Sequence, residues 1–167
     1  YELWAMRARG WQGRREADRR RWREIAATSR RFFTAAAHPE TGLTPDYAGF
    51  DGRPIPMRGH GDFRYDAFRT AVNWSVDQAW WGHNSAASGL SARLLGFFER
   101  QGPAYVANYR IDGTPLTAER SAGLVASNAV AALALDGVPH PRFVAALWEQ
   151  EPPRGKWRYY DGLLQFM

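Results

Sequence analysis

Apolar residues recur at helical spacing through the stretch from Asp62 to Trp81, which contains neither proline nor glycine. Residues three and four positions apart share one side of a helix, so this pattern predicts an α-helix over 62–81. Two neighbouring lines of the predicted helix are apolar, which indicates that it is buried on most sides. These lines consist of Ala67, Ala71, Trp74 and Trp81, and of Phe68, Val72, Val76 and Ala79.

One narrow stripe of the same predicted helix is polar and contains Asp62, Asp66, Arg69, Asn73 and Asp77. A carboxylate on a mostly buried helix is costly unless it has a partner or a task. Arg69 follows Asp66 by three residues, so its guanidinium is expected to pair with that carboxylate, orient it and keep it ionised. A carboxylate held in this way suits a general base. The alternative is that the stripe is simply the solvated face of the helix.

Most of the remaining chain also shows helical patterns, separated by proline and glycine. The stretch 38–59 is rich in both residues, so we expect a long ordered loop there. Strand-forming residues and an Asp-Gly turn signal predict a small extended arm over Ala104–Leu116. The chain is therefore predicted to be all-α, with roughly six helices and one long loop on one side. The further predicted helices are Arg14–Ala37, 85–100, Ser121–Leu135, Pro141–Gln150 and one from Trp157 onwards, and Tyr1–Arg9 is predicted to end another.

The composition excludes several kinds of site. The 167 residues include no cysteine, so disulfides and thiolate metal sites are absent. The four histidines are scattered without ligand spacing, and neither a metal nor a cofactor is expected. No apolar run has the length of a membrane span and no signal peptide is visible, so we expect a cytoplasmic protein. Secretion stays open, because the N-terminus is expected to be missing.

The net charge of +5 comes almost entirely from arginines. Many of them lie in the first long helix, where Glu16, Asp18 and Glu24 alternate with them, as on a solvated helix face. We therefore expect neither a nucleic-acid nor a membrane partner. The eight tryptophans, seven tyrosines and nine phenylalanines favour a large core or a cleft that stacks flat ligands such as sugar rings.

Four blocks of the chain resemble glycoside hydrolase family 8, and within it the reducing-end xylose-releasing exo-oligoxylanases. The resemblance implies an (α/α)6 barrel that hydrolyses β-1,4-linked glycans with inversion. Residues 1–167 are then expected to be the C-terminal part of a single catalytic domain, about half of the barrel. The blocks are HPETGLTPDYAGFDGRP at 38–54, GHGDFRYDAFRTAVNWSVDQAWW at 59–81, RIDGTPLTAERSAGLVASNAVAALA at 110–134 and KWRYYDGLL at 156–164.

The resemblance assigns the role of general base to Asp66, in the family's Asp-x-x-Arg segment, with Arg69 beside it. It also implies that the general acid is a glutamate upstream of this chain. The N-terminal half of the barrel is therefore an expected partner, as a linked segment or a second chain, and xylo-oligosaccharide is the expected substrate. Expected sugar contacts are Tyr65, Asn73, Trp74, Trp81, Tyr159 and Tyr160, with Tyr47 and Trp80 as further candidates; for each tryptophan the alternative is core packing.

One segment departs from the exo-acting relatives, which carry Leu-His-Pro where this chain has Glu119-Arg120-Ser121. In those relatives the motif closes the cleft beyond the first leaving-group sugar. Three readings therefore stay open: an exo-acting enzyme that releases xylose from the reducing end, an endo-acting β-1,4-xylanase or glucanase, and a non-catalytic glycan-binding half-barrel that lacks the acid.

Overall fold

Helices make up the fold of the described residues, which are 16–82, 84–135, 140–156 and 158–166 of the computed structural model. In this part of the chain, β-pairing is limited to isolated bridges that do not form a sheet. The prediction of an all-α chain with roughly six helices is confirmed, while the predicted helix end at Tyr1–Arg9 lies outside the described residues. The α-helices are α1 (Glu16–Ala36), α2 (Phe68–Trp81), α3 (Ala87–Gln101), α4 (Ala122–Ala131), α5 (Pro141–Trp148) and α6 (Arg158–Phe166), with short 3-10 turns at Met57–Gly59, Tyr65–Ala67 and Ala132–Ala134.

Helix α4 lies at the centre of the fold and packs against α2, α5 and α6. Its small residues allow this close packing, and Gly123 shows why. A Cβ at that position would come within 2.8 Å of Leu164 Cδ1 on α6. Ser121 caps the helix, since its Oγ accepts a hydrogen bond from the backbone N–H of Leu124 at 3.2 Å.

Helix α2 begins at Phe68, so the prediction of a helix from Asp62 is wrong at its N-terminal end. Phe63 exchanges two backbone hydrogen bonds with Tyr109 of the extended arm, at 2.9 and 3.1 Å. Arg64 continues in an extended conformation, and Tyr65 has a φ of +40°. This long-range pairing holds the chain extended at Phe63 and Arg64, where a helix would otherwise fit the apolar spacing.

The long loop and the extended arm are both ordered by backbone hydrogen bonds, as expected. Asp46 N–H donates to the Asp62 carbonyl at 2.9 Å, and Tyr47 N–H donates to the His60 carbonyl at 2.7 Å. These two bonds fix the middle of the loop against the residues that lead into α2. The arm is held between Phe63 and its own return at Pro115, through bridges at Tyr109.

Trp74 is a core residue with a side chain that reaches α3. The residue is 1% exposed, and its Nε1–H donates to Ser91 Oγ at 2.9 Å. Its ring contacts Phe33 of α1, edge to face, with ring centroids 6.2 Å apart. The expectation that Trp74 contacts sugar is therefore wrong, because α2 turns this face into the protein interior.

Asp77 of the polar stripe joins α2 to α1. Arg30 Nε and Nη2 each donate to one Asp77 carboxylate oxygen, and both distances are 2.7 Å. This planar two-point geometry is the strong form of an arginine–carboxylate pair. Asp77 therefore has a structural role, and the polar stripe does not act as one functional row.

Candidate active site

Asp66 lies at the entrance to α2, in the 3-10 turn that precedes it. Arg69 Nη2 pairs with Asp66 Oδ1 at 2.9 Å, as the sequence predicts. The Asp66 side chain is 56% exposed, however, so the expectation of a carboxylate in the middle of a buried helix is wrong. The helix starts six residues later than predicted, and this places Asp66 at its accessible end.

A groove of about 390 Å³ opens beside Asp66 and brings together residues that are far apart in the chain. One side comes from the entrance to α2, the other from the arm, the start of α4 and the start of α6. The volume is within the range typical of sites for small ligands. The lining residues are Tyr65, Asp66, Phe68, Ala107, Asn108, Glu119, Arg120, Ser121, Tyr160 and Asp161.

Tyr65 and Tyr160, two of the predicted sugar contacts, face this groove and are tied to each other. The Tyr160 hydroxyl donates to the Tyr65 carbonyl at 2.9 Å. Burial, together with the neighbouring Asp66 carboxylate, raises the pKa of Tyr160 well above its ordinary value. The Tyr160 hydroxyl is therefore a weaker acid than that of an ordinary tyrosine, which suits its role as the donor to Tyr65.

The backbone of Tyr65 is strained, because a φ of +40° is unusual for any residue other than glycine. Strained residues persist where the surrounding structure holds them, and they cluster at functional sites. The hydrogen bond from Tyr160 is one of the contacts that hold Tyr65. The carboxylate of Asp66 is attached to the next residue, so its direction depends on this conformation.

The far side of the groove carries two further carboxylates, Glu119 and Asp161. Ser121 Oγ donates to Asp161 Oδ1 at 2.9 Å, which ties the start of α4 to α6. The carbonyl of Glu119 accepts the Ala107 N–H at 2.7 Å, which fixes this side of the groove to the arm.

Arg120 donates from Nη2 to the Pro103 carbonyl at 3.1 Å, so the segment that departs from the exo-acting relatives is anchored and lines the groove. Asn108 also lines it, and the sequence analysis missed this residue. Its position depends on how the arm folds back, and no local spacing signals that.

The other predicted sugar contacts lie outside the lining of this groove. Asn73 and Tyr159 are exposed, and Trp81 is half-buried at the end of α2. Trp80 is 73% exposed. Tyr47 stacks on the ring of His60, with centroids 4.1 Å apart, and does not line the groove either.

The described residues contain no group of three or more histidine, aspartate or glutamate side chains arranged to hold a metal ion. Within the same part of the chain, no helix has both the length and the apolar character that crossing a bilayer requires.

Comparison with known proteins gives strong matches along the whole chain. The chain is 40% identical to the reducing-end xylose-releasing exo-oligoxylanase of Paenibacillus barcinonensis, over 99% of this chain and 43% of that protein. A GH8 protein of Teredinibacter turnerae, solved in complex with xylobiose, superposes with a TM-score of 0.85 at 46% identity, over 99% of this chain and 41% of that one. No protein-family model matches the chain.

A reducing-end-xylose releasing exo-oligoxylanase complexed with xylose superposes with a TM-score of 0.81 at 37% identity. That match covers 90% of this chain and 41% of the other. The chain is a homologue of glycoside hydrolase family 8 (GH8) proteins. The resemblance given by the four sequence blocks is confirmed.

The GH8 neighbours are (α/α)6 barrels, and the six α-helices of the described residues superpose on part of that barrel. The chain spans about two fifths of the length of the GH8 relatives that it matches. The predicted fold class, a portion of an (α/α)6 barrel, is therefore confirmed. The residues that line the groove around Asp66 all belong to this portion of the barrel.

Proposed function

We propose that this chain carries the base side of a GH8 active site that hydrolyses β-1,4-xylosidic bonds in xylo-oligosaccharides and releases xylose from the reducing end. One observation carries the proposal. Asp66, paired with Arg69 at 2.9 Å, lines a groove with Tyr65 and Tyr160 in a chain homologous to exo-oligoxylanases. The accessible carboxylate, the groove and the homology all support the same reaction.

In the proposed reaction, Asp66 takes a proton from a water molecule as the water oxygen attacks the anomeric carbon. The bond between that carbon and the leaving oxygen breaks at the same time, and the leaving oxygen takes a proton from the general acid. This single displacement inverts the anomeric configuration. Arg69 orients the carboxylate of Asp66. The exposure of the Asp66 side chain leaves room for the water molecule and the sugar.

The general acid of the proposed reaction lies outside this chain, on the remaining part of the barrel. That part is a linked segment or a second chain, and this portion of the barrel is incomplete without it. Exposed apolar surface on this chain supports the proposal that the barrel is incomplete. On α1, Ile25, Phe32 and Phe33 line an open groove of about 600 Å³ together with Phe50, which is fully exposed.

The isolated chain of 167 residues is expected to associate with itself, because large apolar side chains such as Phe50, Trp148 and Phe166 are exposed on it. Light scattering and binding of a fluorescent apolar dye measure the two properties. Addition of the remaining part of the barrel is expected to suppress both. A monomer that unfolds cooperatively and binds no dye would contradict the proposed incomplete barrel.

Product analysis tests the substrate and the mode of cleavage. With xylohexaose and the complete protein, we expect xylose and xylopentaose as the first products, measured by chromatography of samples taken early in the reaction. The anchored segment Glu119–Ser121 gives a second candidate, an endo-acting xylanase, because it lines the groove where exo-acting relatives carry a different motif. A spread of shorter oligomers would favour that candidate, and no cleavage of any xylan, cellulose or chitosan substrate would favour a glycan-binding protein.

A further inference from the structure

A second aspartate, Asp46, is buried next to the proposed site. Its side chain is 2% exposed, and Oδ2 contacts the Nδ1 of His60. Its other oxygen, Oδ1, is buried without a hydrogen-bond partner among the described residues. Burial of a carboxylate costs free energy, so a buried pair of aspartate and histidine is expected to have a role that offsets this cost.

The His60 ring is fixed on several sides. It stacks on Tyr47 with ring centroids 4.1 Å apart and planes 11° apart, and on another side it approaches the Tyr65 ring at 6.3 Å. The backbone bonds from Tyr47 N–H to the His60 carbonyl and from Asp46 N–H to the Asp62 carbonyl hold the same two segments together. Loop, ring and turn are therefore connected in one unit.

This unit ends at the strained residue next to the proposed base. Tyr65 is held by the Tyr160 hydroxyl at its carbonyl and lies near the His60 ring at its side chain. The negative charge of Asp46 also reaches Tyr160, where it is the last of several contributions that raise the pKa of that hydroxyl. Neither Asp46 nor His60 lines the groove, and the ring contact between His60 and Tyr65 links the pair to it.

We propose that the Asp46–His60 pair is a positioning unit that holds Tyr65, and through Tyr65 the carboxylate of Asp66, in the geometry that the proposed hydrolysis requires. The inference rests on the proposed function of Asp66. It concerns residues that do not contact the substrate, so their loss changes the rate of the chemical step more than the binding of the sugar. Displacement of a catalytic group by about 1 Å from a remote change costs on the order of 10²-fold in rate.

Two substitutions at one position separate the contacts of His60. His60→Phe keeps an aromatic ring between Tyr47 and Tyr65 but removes the partner of Asp46. His60→Asn keeps a donor close to the position of Nδ1 and removes the ring. In the complete protein we expect both variants to lower kcat about 10²-fold with KM changed by less than about twofold, because His60→Phe removes the contact with Asp46 and His60→Asn removes the ring contact with Tyr65.

His140→Asn is the matched control, because His140 also pairs with a carboxylate, Glu99, at 3.5 Å, and neither residue lines the groove. This control is expected to keep the wild-type kcat. If His60→Phe lowers the melting temperature but leaves kcat per folded molecule unchanged, the pair is only structural and the inference is overturned. A wild-type kcat in His60→Asn, which lacks the ring contact with Tyr65, would also overturn it.

If His60→Phe yields no folded protein, Asp46→Asn decides, because it keeps the shape of the pair and removes its charge. A fall in kcat at constant KM supports the inference, and an unchanged kcat overturns it. Both outcomes require a wild type that hydrolyses xylo-oligosaccharides. A wild type without activity would instead reject the proposed function, so the two failures are distinguishable.

Discussion

The Asp66→Asn variant of the complete protein is expected to lose about 10²- to 10⁴-fold in kcat on xylo-oligosaccharides, the usual contribution of a general base. Asparagine has nearly the shape of aspartate and can still accept a hydrogen bond from Arg69, but it cannot take a proton from water. KM is expected to change little, because the substitution removes an interaction with the transition state. Initial rates at saturating and limiting substrate measure the two constants separately.

Asp62→Asn is the matched control for this variant. Asp62 also pairs with an arginine, Arg64, at 3.0 Å, and it lies four residues before Asp66, but it does not line the groove. Its replacement is expected to leave kcat within about threefold of the wild type, because the partly buried Asp62–Arg64 pair does not meet the groove. Equal activity losses in the two variants would show that Asp66 has no special role.

Removal of the Trp74 side chain is expected to cost about 3–5 kcal/mol of unfolding free energy, as for other fully buried aromatic residues. The Trp74→Ala substitution leaves a cavity between α2 and α3 and removes the donor to Ser91. It also removes the edge contact with Phe33 of α1. Urea unfolding of the complete protein measures the loss of stability.

Trp80→Ala provides the comparison, because Trp80 lies on the same helix and is 73% exposed. Its replacement is expected to change the unfolding free energy by less than about 0.5 kcal/mol, as is usual for surface positions. The interpretation of Trp74 as a core residue would be wrong if Trp74→Ala kept its stability and instead raised KM for xylo-oligosaccharides.

The helices of this chain were largely predictable because their signals are local. Apolar spacing, glycine and proline breaks and the Ser121 cap lie within the segments they control. The start of α2 was mispredicted because it depends on Phe63, which pairs with Tyr109 across 46 positions of sequence. Local spacing contains no information about such a pairing. The apolar spacing in this stretch is as compatible with a helix as with the extended segment that forms.

The candidate site also combines features that local sequence predicts with features that depend on long-range contacts. The pair of Asp66 and Arg69 follows from their spacing on a helical turn, and the structure places it as predicted. The hydrogen bond from Tyr160 to Tyr65 joins residues 95 positions apart, so only the family resemblance drew attention to Tyr160. Asn108 had no signal in the sequence, since the fold of the arm alone brings it to the groove.

The exposure of Asp66 changes the physical account of the proposed base. Burial is not what holds this carboxylate, since more than half of its side chain meets solvent in the described chain. Its direction comes from Arg69 and from the strained turn at Tyr65. Closure of the groove against the rest of the barrel is then expected to exclude bulk water from the reacting sugar.

Proton NMR of xylohexaose hydrolysis by the complete protein tests the central claim most directly, because it records the configuration of the new anomeric centre as it forms. For the wild type, the account predicts that the α-anomer of the new reducing end appears before mutarotation, and that the Asp66→Asn variant forms almost none of it in the same time. Initial formation of the β-anomer, or a wild-type rate in the Asp66→Asn variant, would contradict the account.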